Sequence, residues 1–379
     1  MKSKSIKGKS LEDITRELKQ VMADGYKPTL AIVFMSIKQD RAAIGKSLDE
    51  LGITVFGATT NGEFIDETSE TGGIAILLMD LSPGYFELNF KAYPEGNYRE
   101  VATELANRGK EAFERPAYFI ACSHLETDGE EVLKGFVDVV GDDVNVFGGF
   151  AGDDFSFTES AVFSNGFESK KGMICLALDE DKLDINGIAT CGWKAMGTEK
   201  TVTKSEGNHV YTIDHIPALD ITTKYGGLED VSPGNKNLLL ELAANFPLQM
   251  QREKGDPVMR PGLIVDWSDR SFFTSGTVPE GSKVRFSVPP DFDVMDKVVQ
   301  EVENLKINCM PEADALIVFS CAGRFLSLGP LMPQELEGIK NVWNVPMVGM
   351  FSNAELARAT GGNLEMHNLT TCCIAIKEK

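Results

Sequence analysis

The sequence FGATTNGE at residues 56–63 recurs in two altered forms, FGGFAGDD at residues 147–154 and VGMFSNAE at residues 348–355. In each of these three octets an acidic residue follows a glycine by six positions. An apolar run precedes each octet by roughly the length of a strand and a helix, and a second apolar run follows it. Because internal repeats define architecture before single motifs do, the octets predict a chain built by repeating one α/β module.

Each predicted module has the order strand, helix, strand, octet, strand. The flanking apolar runs are too short for buried helices and have the composition of interior strands. They occupy residues 29–36 and 72–80 in the first module, 117–123 and 171–179 in the second, and 315–323 and 370–377 in the third. The predicted fold class is therefore α/β, with two related α/β halves built from repeated strand-helix-strand-strand modules.

The region from Cys191 to about Val288 differs from the modules, because it consists of short glycine-rich segments with strand composition. One helix is predicted within it, at residues 235–246, capped near Ser232 or Asn235. We predict an additional antiparallel β region here, belonging to the second half.

The stretches that precede the second and third modules, residues 86–109 and 284–306, also resemble each other, each reading as a strand, a proline turn and a helix. This recurrence supports two large related halves. The predicted domains are residues 27–190 and residues 191–379, after a basic tail and helix at residues 1–26.

The chain has 379 residues and a formal charge of −20, from 57 Asp and Glu residues against 37 Lys and Arg residues. Its length exceeds that of one average domain, which favours two domains with well-buried cores. Nonspecific binding to nucleic acids depends mainly on contacts between cationic side chains and phosphates. We therefore predict that the protein binds neither DNA nor RNA.

The seven cysteines and four histidines carry no recognisable site pattern. The cysteines lie mostly in apolar runs without C-x-x-C spacing, which predicts reduced and mostly buried thiols. The histidines lack the H-x-x-x-H and H-E-x-x-H spacings of zinc sites, so we predict no metal site and no cofactor.

The amino terminus, MKSKSIKGKS, is basic, but no apolar segment follows it, because residues 11–25 have the pattern of an amphipathic helix. No apolar run approaches the roughly 18 residues of a membrane span. We predict a cytoplasmic protein that does not associate with membranes.

The octets are placed where open α/β sheets usually bind ligands, beyond the carboxyl ends of strands. The first octet offers Thr60, Asn61 and Glu63, and the third offers the same chemistry in the same order. The corresponding residues of the third are Ser352, Asn353 and Glu355, whereas the second octet keeps only its final acid, Asp154. Hydroxyl and amide side chains also satisfy backbone groups in tight turns, so both roles stay open for them. A carboxylate near a sheet edge needs a partner, which is a cluster of backbone amides, a basic side chain or a ligand cation, so ligand contact is one of the roles open to the acids.

The loop CAGRF, residues 321–325, adds a thiol and a guanidinium at the same predicted edge. Arg324 either pairs with Glu355 or holds the opposite end of a zwitterionic ligand, since arginine binds carboxylates bidentately. Cys321 is a candidate nucleophile only if a neighbouring charge or helix lowers its pKa, and no histidine base is tied to it by a sequence pattern, so we assign no catalytic residue. His367, before the last strand, is a further candidate ligand contact.

The order of the motifs along the chain resembles that of the FIST family. FGATTNGEF and FGGFAGDD are similar to the two glycine-containing turns of the FIST N-terminal domain. The motifs similar to those of the FIST C-terminal domain are SPGNKN (232–237), FPLQM (246–250), SGTVPEGSKVRFS (275–287), FSCAGRF (319–325), VGMFSNAEL (348–356) and HNLTT (367–371). The resemblance covers nearly the whole chain.

This resemblance implies a sensory module that binds a small ligand, with amino acids or related metabolites as the suggested ligands. FIST domains are often fused to signalling output domains, but this sequence shows no recognisable output segment or F-box. We therefore expect a separate signalling partner protein. One departure is Ala354, where the family pattern has a glycine before the glutamate.

Two other functions compete with the sensor. One is a hydrolase or transferase that acts on a small metabolite, through the Cys321 thiol or through paired carboxylates such as Glu63 and Asp154. The other is a protein-interaction scaffold. Reactivity of Cys321 above that of a free thiol would favour the enzyme, and exposed apolar area would favour the scaffold.

Overall fold

The structure is a computed structural model that describes residues 1–94, 96–235 and 237–379. Lys236, which belongs to the predicted helix at 235–246 and to SPGNKN, lies outside those residues. Within them the fold is α/β, with three six-stranded mixed sheets and one eight-stranded antiparallel sheet. The predicted fold class is confirmed, and the three octets belong to three modules of the same design.

The elements of module 1 are β1 (Ser3–Gly8), α1 (Leu11–Met22), β2 (Leu30–Ser36), α2 (Arg41–Asp49), β3 (Thr54–Thr60), β4 (Glu63–Ile65), β5 (Thr68–Glu70) and β6 (Ile74–Met79). Those of module 2 are β7 (Phe86–Ala92), α3 (Tyr98–Ala112), β8 (Pro116–Cys122), α4 (Gly129–Val140), β9 (Val146–Phe150), β10 (Val162–Ser164), β11 (Phe167–Ser169) and β12 (Gly172–Asp179), after a 3-10 turn at Pro83–Tyr85.

Module 3 begins with β13 (Leu183–Thr190), and the antiparallel region is inserted after it. The elements of that region are β14 (Ala195–Glu206), β15 (His209–Ile213), β16 (Ile216–Pro217), α5 (Ala218–Gly226), α6 (Leu238–Leu240) with a π turn (Glu241–Asn245), β17 (Leu248–Met250), β18 (Val258–Arg260), β19 (Gly262–Asp266), β20 (Ser271–Thr274) and β21 (Lys283–Ser287). Module 3 then continues with α7 (Asp293–Asn308), β22 (Ala315–Cys321), α8 (Ala322–Leu328), a 3-10 turn (Gly329–Leu331), α9 (Met332–Trp343), β23 (Met347–Ser352), β24 (Glu355–Arg358), β25 (Leu364–His367) and β26 (Thr371–Glu378).

The three module sheets have one common strand order. It runs β1-β6-β2-β3 in module 1, β7-β12-β8-β9 in module 2 and β13-β26-β22-β23 in module 3. In each sheet the two strands that flank a helix pair in parallel, and the last strand of the module returns antiparallel beside the first of them. Each octet therefore begins on the second parallel strand and leaves the sheet at its carboxyl end.

Each module gives its short hairpin to the sheet of another module. The hairpin β4–β5 of module 1 pairs with β23 of module 3, β24–β25 of module 3 pairs with β9 of module 2, and β10–β11 of module 2 pairs with β3 of module 1. The exchange is cyclic, so every six-stranded sheet contains chain from two modules. The octets lie at the crossing points of this exchange.

The strands are apolar on both faces because both faces are covered. In β2, Leu30, Ile32 and Phe34 face a core shared by all three module sheets. The alternate residues Ala31 and Val33 pack with the buried faces of α1 and α2. This alternation with a period of two explains why the predicted strands read as continuous apolar runs.

Two local predictions are wrong, and the amino-terminal tail contains a strand that was not predicted. Ser3–Gly8 forms an edge strand with Ile6 buried and the lysines partly exposed. The strand of residues 284–306 belongs to the antiparallel sheet, so the counterpart of β7 is β13, and only the helices α3 and α7 correspond. The helix predicted at 235–246 is reduced to α6 and a π turn, without a side-chain cap.

In the described part of the chain, no helix combines the length and the apolar character that crossing a membrane requires. Six of the seven free cysteines are buried, as predicted, and Cys309 is exposed.

Candidate ligand site

The three octets meet at the centre of the molecule and are joined in a ring by backbone hydrogen bonds. The donors and acceptors are Asn61 N to Phe351 O (3.0 Å), Asn353 N to Phe150 O (3.0 Å) and Gly152 N to Thr59 O (2.8 Å). In every case the sixth residue of one octet donates to the fourth residue of another. The repeated sequence therefore produces an approximate threefold arrangement of backbone around one axis.

The asparagine side chains hold this ring together. Asn61 Nδ2 donates to Asn353 Oδ1 at 2.7 Å, and Asn353 Nδ2 donates to the carbonyl of Ala151 at 3.0 Å. A Cβ added to Gly152 would lie 2.5 Å from atoms of Asn61, so only glycine allows the octets to approach this closely. Of the two roles left open for the asparagines, these contacts favour the structural one.

The acid of the second octet does not correspond to the other two. In the hairpin register Glu63 lies opposite Met350 and Glu355 opposite Gly149, whereas the residue at this position in module 2 is Val162. Residues 153–160 are an insertion that displaces Asp154 from the pattern. Asp154 therefore has the same spacing in sequence as Glu63 and Glu355 but a different position in the structure. Only modules 1 and 3 have an acid at this position of the hairpin.

In module 1 both oxygens of the Glu63 carboxylate have donors. Thr60 Oγ1 donates to Oε2 at 2.8 Å, and the amide of Gly73 donates to Oε1. Burial raises the pKa of Glu63 to about 7, against the opposing effect of these two hydrogen bonds and with a contribution from the charge of Asp154. Glu63 therefore connects its hairpin to the start of β6 in module 1, and both of its carboxyl oxygens have a hydrogen-bond partner.

In module 3 the equivalent carboxyl is only partly partnered. Ser352 Oγ donates to Glu355 Oε1 at 2.7 Å, in the same geometry as Thr60 and Glu63. Oε2 forms no hydrogen bond of ordinary length and angle, although the Thr370 amide and the Cys321 thiol lie close enough to affect the carboxyl. Glu355 is completely buried, and burial raises its pKa well above the ordinary range, despite lowering effects from Ser352, the Thr370 amide and the Cys321 thiol. A buried carboxyl oxygen without a partner is rare and calls for a chemical explanation.

Module 2 shows what the glutamates replace. Its amide at the start of β12, Gly172 N, is the counterpart of Gly73 N, and it donates a hydrogen bond to the Ser123 hydroxyl oxygen at 3.0 Å. A glutamate is thus one of two ways to satisfy this amide. Sequence reasoning did not identify Ser123, although it is the last residue of the apolar run predicted as a strand at residues 117–123.

The pKa of Cys321 argues against a thiolate nucleophile. Its position on β22 lies opposite Ser352 in the strand register, next to Glu355. Burial, with a further contribution from Glu355, raises the pKa of Cys321 to about 12. The lowered pKa on which the nucleophile hypothesis depends is not found, since the thiol keeps its proton at neutral pH.

Arg324 pairs with Glu335 and not with Glu355. Its Nε atom lies 2.8 and 3.0 Å from the two carboxylate oxygens of Glu335, and Nη2 also contacts that carboxylate. Nη1 donates to the carbonyls of Cys191 and Leu369, and Nη2 donates to the carbonyl of Val294 at 3.2 Å. All five N–H donors of the guanidinium therefore have acceptors, and both side chains of the ion pair are fully buried.

Module 1 has a neutral counterpart of this arginine at Gln39. Gln39 Nε2 donates to the carbonyls of Lys9 (3.0 Å) and Gly72 (2.8 Å). By strand register these carbonyls are the counterparts of those of Cys191 and Leu369. Sequence reasoning missed Gln39 because an amide three residues after a strand is not a site pattern.

Asp154 lies at the edge of module 1. Its Oδ2 accepts a hydrogen bond from Ser36 Oγ at 2.7 Å and is 3.1 Å from Lys38 Nζ, while Oδ1 is buried without a partner. Its charge acts on Glu63, so the structure brings these two predicted carboxylates into one neighbourhood.

His367 pairs with Glu355 in the β24–β25 register, but its ring bonds elsewhere. Nε2 lies 3.0 Å from the carbonyl of Ala357, which fixes this nitrogen as the donor. Burial lowers the pKa of His367 to about 4, so the ring is neutral.

At the position where the sequence departs from the family pattern, Gly62 has φ +142° whereas Ala354 keeps an ordinary negative φ, so alanine fits there without strain.

Comparison with protein families gives two matches in the same order. The FIST N domain matches residues 29–216, and the FIST C domain matches residues 218–358. The chain belongs to the FIST family. No curated protein sequence matches it. FIST domains are associated with sensory signal transduction and small-ligand binding.

In this FIST protein the two matched domains interlock. The hairpin β4–β5 lies within the FIST N match and completes the module 3 sheet, while β24, within the FIST C match, pairs with β9 of module 2. The candidate ligand site, formed by Cys321, Ser352 and Glu355, lies beside this exchange.

Proposed function

We propose that this FIST protein is a sensor whose Glu355 carboxyl binds the amine of a small metabolite, with an amino acid as the expected ligand. The supporting observation is the unpartnered Oε2 of a completely buried glutamate. Leaving such an atom without a partner costs free energy, and an ammonium group supplies a strong, charge-assisted donor. Ser352 then positions the carboxylate through Oε1.

The loop of residues 153–159 is the segment that a ligand would have to displace. The amides of Asp153 and Phe155 donate to Asn61 Oδ1, and the ring of Phe155 stacks on that of Phe325, with centroids 6.2 Å apart. Phe325 in turn stacks on Phe351 of the third octet. Asp154, Phe155 and Phe157 adopt left-handed backbone conformations, which are sparsely populated and tend to occur at functional sites.

Arg324 offers a physical link from this site to the antiparallel region. It lies three residues after Cys321 and holds the carbonyl of Cys191, where the chain enters that region, and that of Val294, where the chain has returned. We propose that ligand binding at Glu355 shifts α8 and, through Arg324, the antiparallel region. A separate signalling partner in the cytoplasm would recognise the change.

A thermal-shift screen tests this function. The wild-type protein is screened with amino acids and with the matched organic acids that lack the amine. We expect at least one amino acid to raise the melting temperature and its amine-free counterpart to have no effect. Glu355→Gln should abolish the shift, and Glu63→Gln, which changes the equivalent residue of module 1, should retain it. No stabilising amino acid, or an undiminished shift in Glu355→Gln, would refute the proposal.

A second candidate function rests on the pKa of Glu63. A carboxyl with a pKa of about 7 beside a second acid, Asp154, has the properties of a general acid–base pair, which favours carboxylate-dependent hydrolase or transferase activity on a small metabolite. A panel of ester, amide and phosphoester substrates tests it. Turnover that titrates near pH 7 and is lost in both Glu63→Gln and Asp154→Asn would support the enzyme over the sensor.

A further inference from the structure

One cluster in the antiparallel region is not used by the proposed function. It consists of His209 on β15, Asp266 at the end of β19 and Asp269 in the turn to β20. One ligand atom from each of the three residues lies within 4.8 Å of the others. Donor atoms bound to one tetrahedral ion at about 2.0–2.2 Å lie about 3.3–3.6 Å apart, so a small approach of the three side chains would complete a coordination shell.

The sheet register explains why these residues converge. Strands β15, β20 and β19 are neighbours, His209 lies opposite Phe273, and Asp266 lies opposite Ser271. Because Ser271 and Phe273 are two residues apart, His209, Ser271 and Asp266 share one face of the sheet. Asp269 joins them from the turn. The histidine and the acids are far apart in sequence, so no metal-binding spacing was visible.

The imidazole of His209 is held in a fixed orientation. Its ring lies between those of Tyr211 and Phe273, with both centroids 3.9 Å away. Nε2 is 2.6 Å from Ser271 Oγ. A hydrogen bond that orients the imidazole is the outer-shell support that metal-ligating histidines usually have.

The two carboxylates have oxygens free for a cation. Asp266 Oδ1 accepts from the amide and hydroxyl of Ser268, and Asp269 Oδ1 accepts from the amide of Ser271. Within the described residues neither acid forms a salt bridge with a lysine or arginine.

We propose that His209, Asp266 and Asp269 bind one divalent transition-metal ion, with Zn²⁺ as the candidate. One imidazole and two carboxylates suit Zn²⁺, whereas Ca²⁺ and Mg²⁺ prefer oxygen ligands alone. Three protein ligands leave a coordination position for water or for another molecule. The site is separate from Glu355, so it stands or falls independently of the proposed sensor.

Titration calorimetry of the full-length protein with ZnCl₂ tests the site, with His209→Gln, Asp269→Asn and, as a matched control, His215→Gln in the same region. We expect one Zn²⁺ per chain and an affinity weakened by at least about tenfold in the first two variants, while the control binds normally. No binding by the wild-type protein, or equal binding by all four proteins, would overturn the site.

A second measurement distinguishes loss of metal binding from loss of folding. Co²⁺ bound by the wild-type protein should give visible absorption that Zn²⁺ displaces, and Asp269→Asn, a change in an exposed turn, should lose it while keeping the wild-type melting temperature. A folded Asp269→Asn protein with an unchanged Co²⁺ spectrum would contradict the assignment.

Discussion

Modules 1 and 3 contain the same hydroxyl–glutamate pair at equivalent positions, but the two pairs differ in what remains available for chemistry. Thr60 and Gly73 engage both oxygens of Glu63, whereas Glu355 keeps one buried oxygen without a partner. In one copy of the repeated motif both carboxyl oxygens are therefore hydrogen-bonded, and in the other copy one oxygen stays available to a ligand.

Modules 1 and 3 also differ in the side chains that bind the neighbouring backbone carbonyls. Where module 1 uses the neutral amide of Gln39 to hold two carbonyls, module 3 uses the Arg324–Glu335 ion pair to hold three. Module 3 thus concentrates charge beneath its candidate site, and module 1 does not.

The largest predicted effect comes from removing the Arg324–Glu335 ion pair, which module 1 replaces with a neutral amide. Arg324→Ala leaves the fully buried Glu335 without its counter-charge, and the free energy of unfolding should fall by about 3–5 kcal/mol. Gln39→Ala removes two neutral hydrogen bonds and should cost only about 1–3 kcal/mol. Chemical denaturation of both variants measures the difference.

A double variant separates the buried charge from the loss of packing. Arg324→Met combined with Glu335→Met should recover a large part of the stability lost in Arg324→Ala, because no uncompensated charge remains buried. Equal costs for Arg324→Ala and Gln39→Ala would show that the ion pair is not what distinguishes module 3.

A pH series sharpens the comparison of the two acids. The pKa of Glu63 is raised from 4.5 to about 7 in the folded protein, so its stabilising effect is complete below pH 4.5 and is lost as the pH rises through 7. The loss should amount to about 3 kcal/mol. The difference in unfolding free energy between wild type and Glu63→Gln should therefore change between pH 4.5 and 7 and level off above.

The matching series for Glu355→Gln should change in the same direction as the pH rises above 4.5, because burial raises the pKa of Glu355 as well. A difference between wild type and Glu63→Gln that stays constant from pH 4.5 to 8 would contradict the assignment of the raised pKa to Glu63.

The smallest predicted effect concerns the residue before each glutamate. Gly62→Ala places a side chain at φ +142°, 3.0 Å from the Phe351 ring, and should destabilise the protein by about 1–3 kcal/mol. Ala354→Gly relieves no strain and should cost about 0.5–1 kcal/mol through lost backbone entropy. Melting temperatures of the two variants give the comparison, and a larger cost for Ala354→Gly would contradict it.

The strands and modules could be predicted because strands buried on both faces leave unbroken apolar runs, such as Leu30–Ser36 and Ala315–Cys321. The cyclic exchange of hairpins could not. Strand β4 has only three residues, and nothing in its local sequence specifies that it pairs with β23 rather than with its own module.

For the site, sequence pattern predicted that Cys321 and Glu355 would lie together, because carboxyl ends of neighbouring parallel strands meet at one edge. Of the two partners considered for Arg324, Glu355 is not the one found, because Arg324 pairs with Glu335 on a helix that no motif marks. It also grouped Asp154 with the other acids, because a spacing does not reveal an insertion. The ligand roles of the ten predicted residues stay predictions.

The most direct test is titration calorimetry at pH 7 with the amino acid that stabilises the protein most, performed in two buffers with different ionisation enthalpies. Burial raises the pKa of the Glu355 carboxyl and an ammonium group favours its ionised form, so ammonium binding there should release a proton to the buffer. Wild type and Glu63→Gln should both release it, and Glu355→Gln should neither bind nor release a proton. Binding by Glu355→Gln with wild-type affinity and proton release would contradict the account.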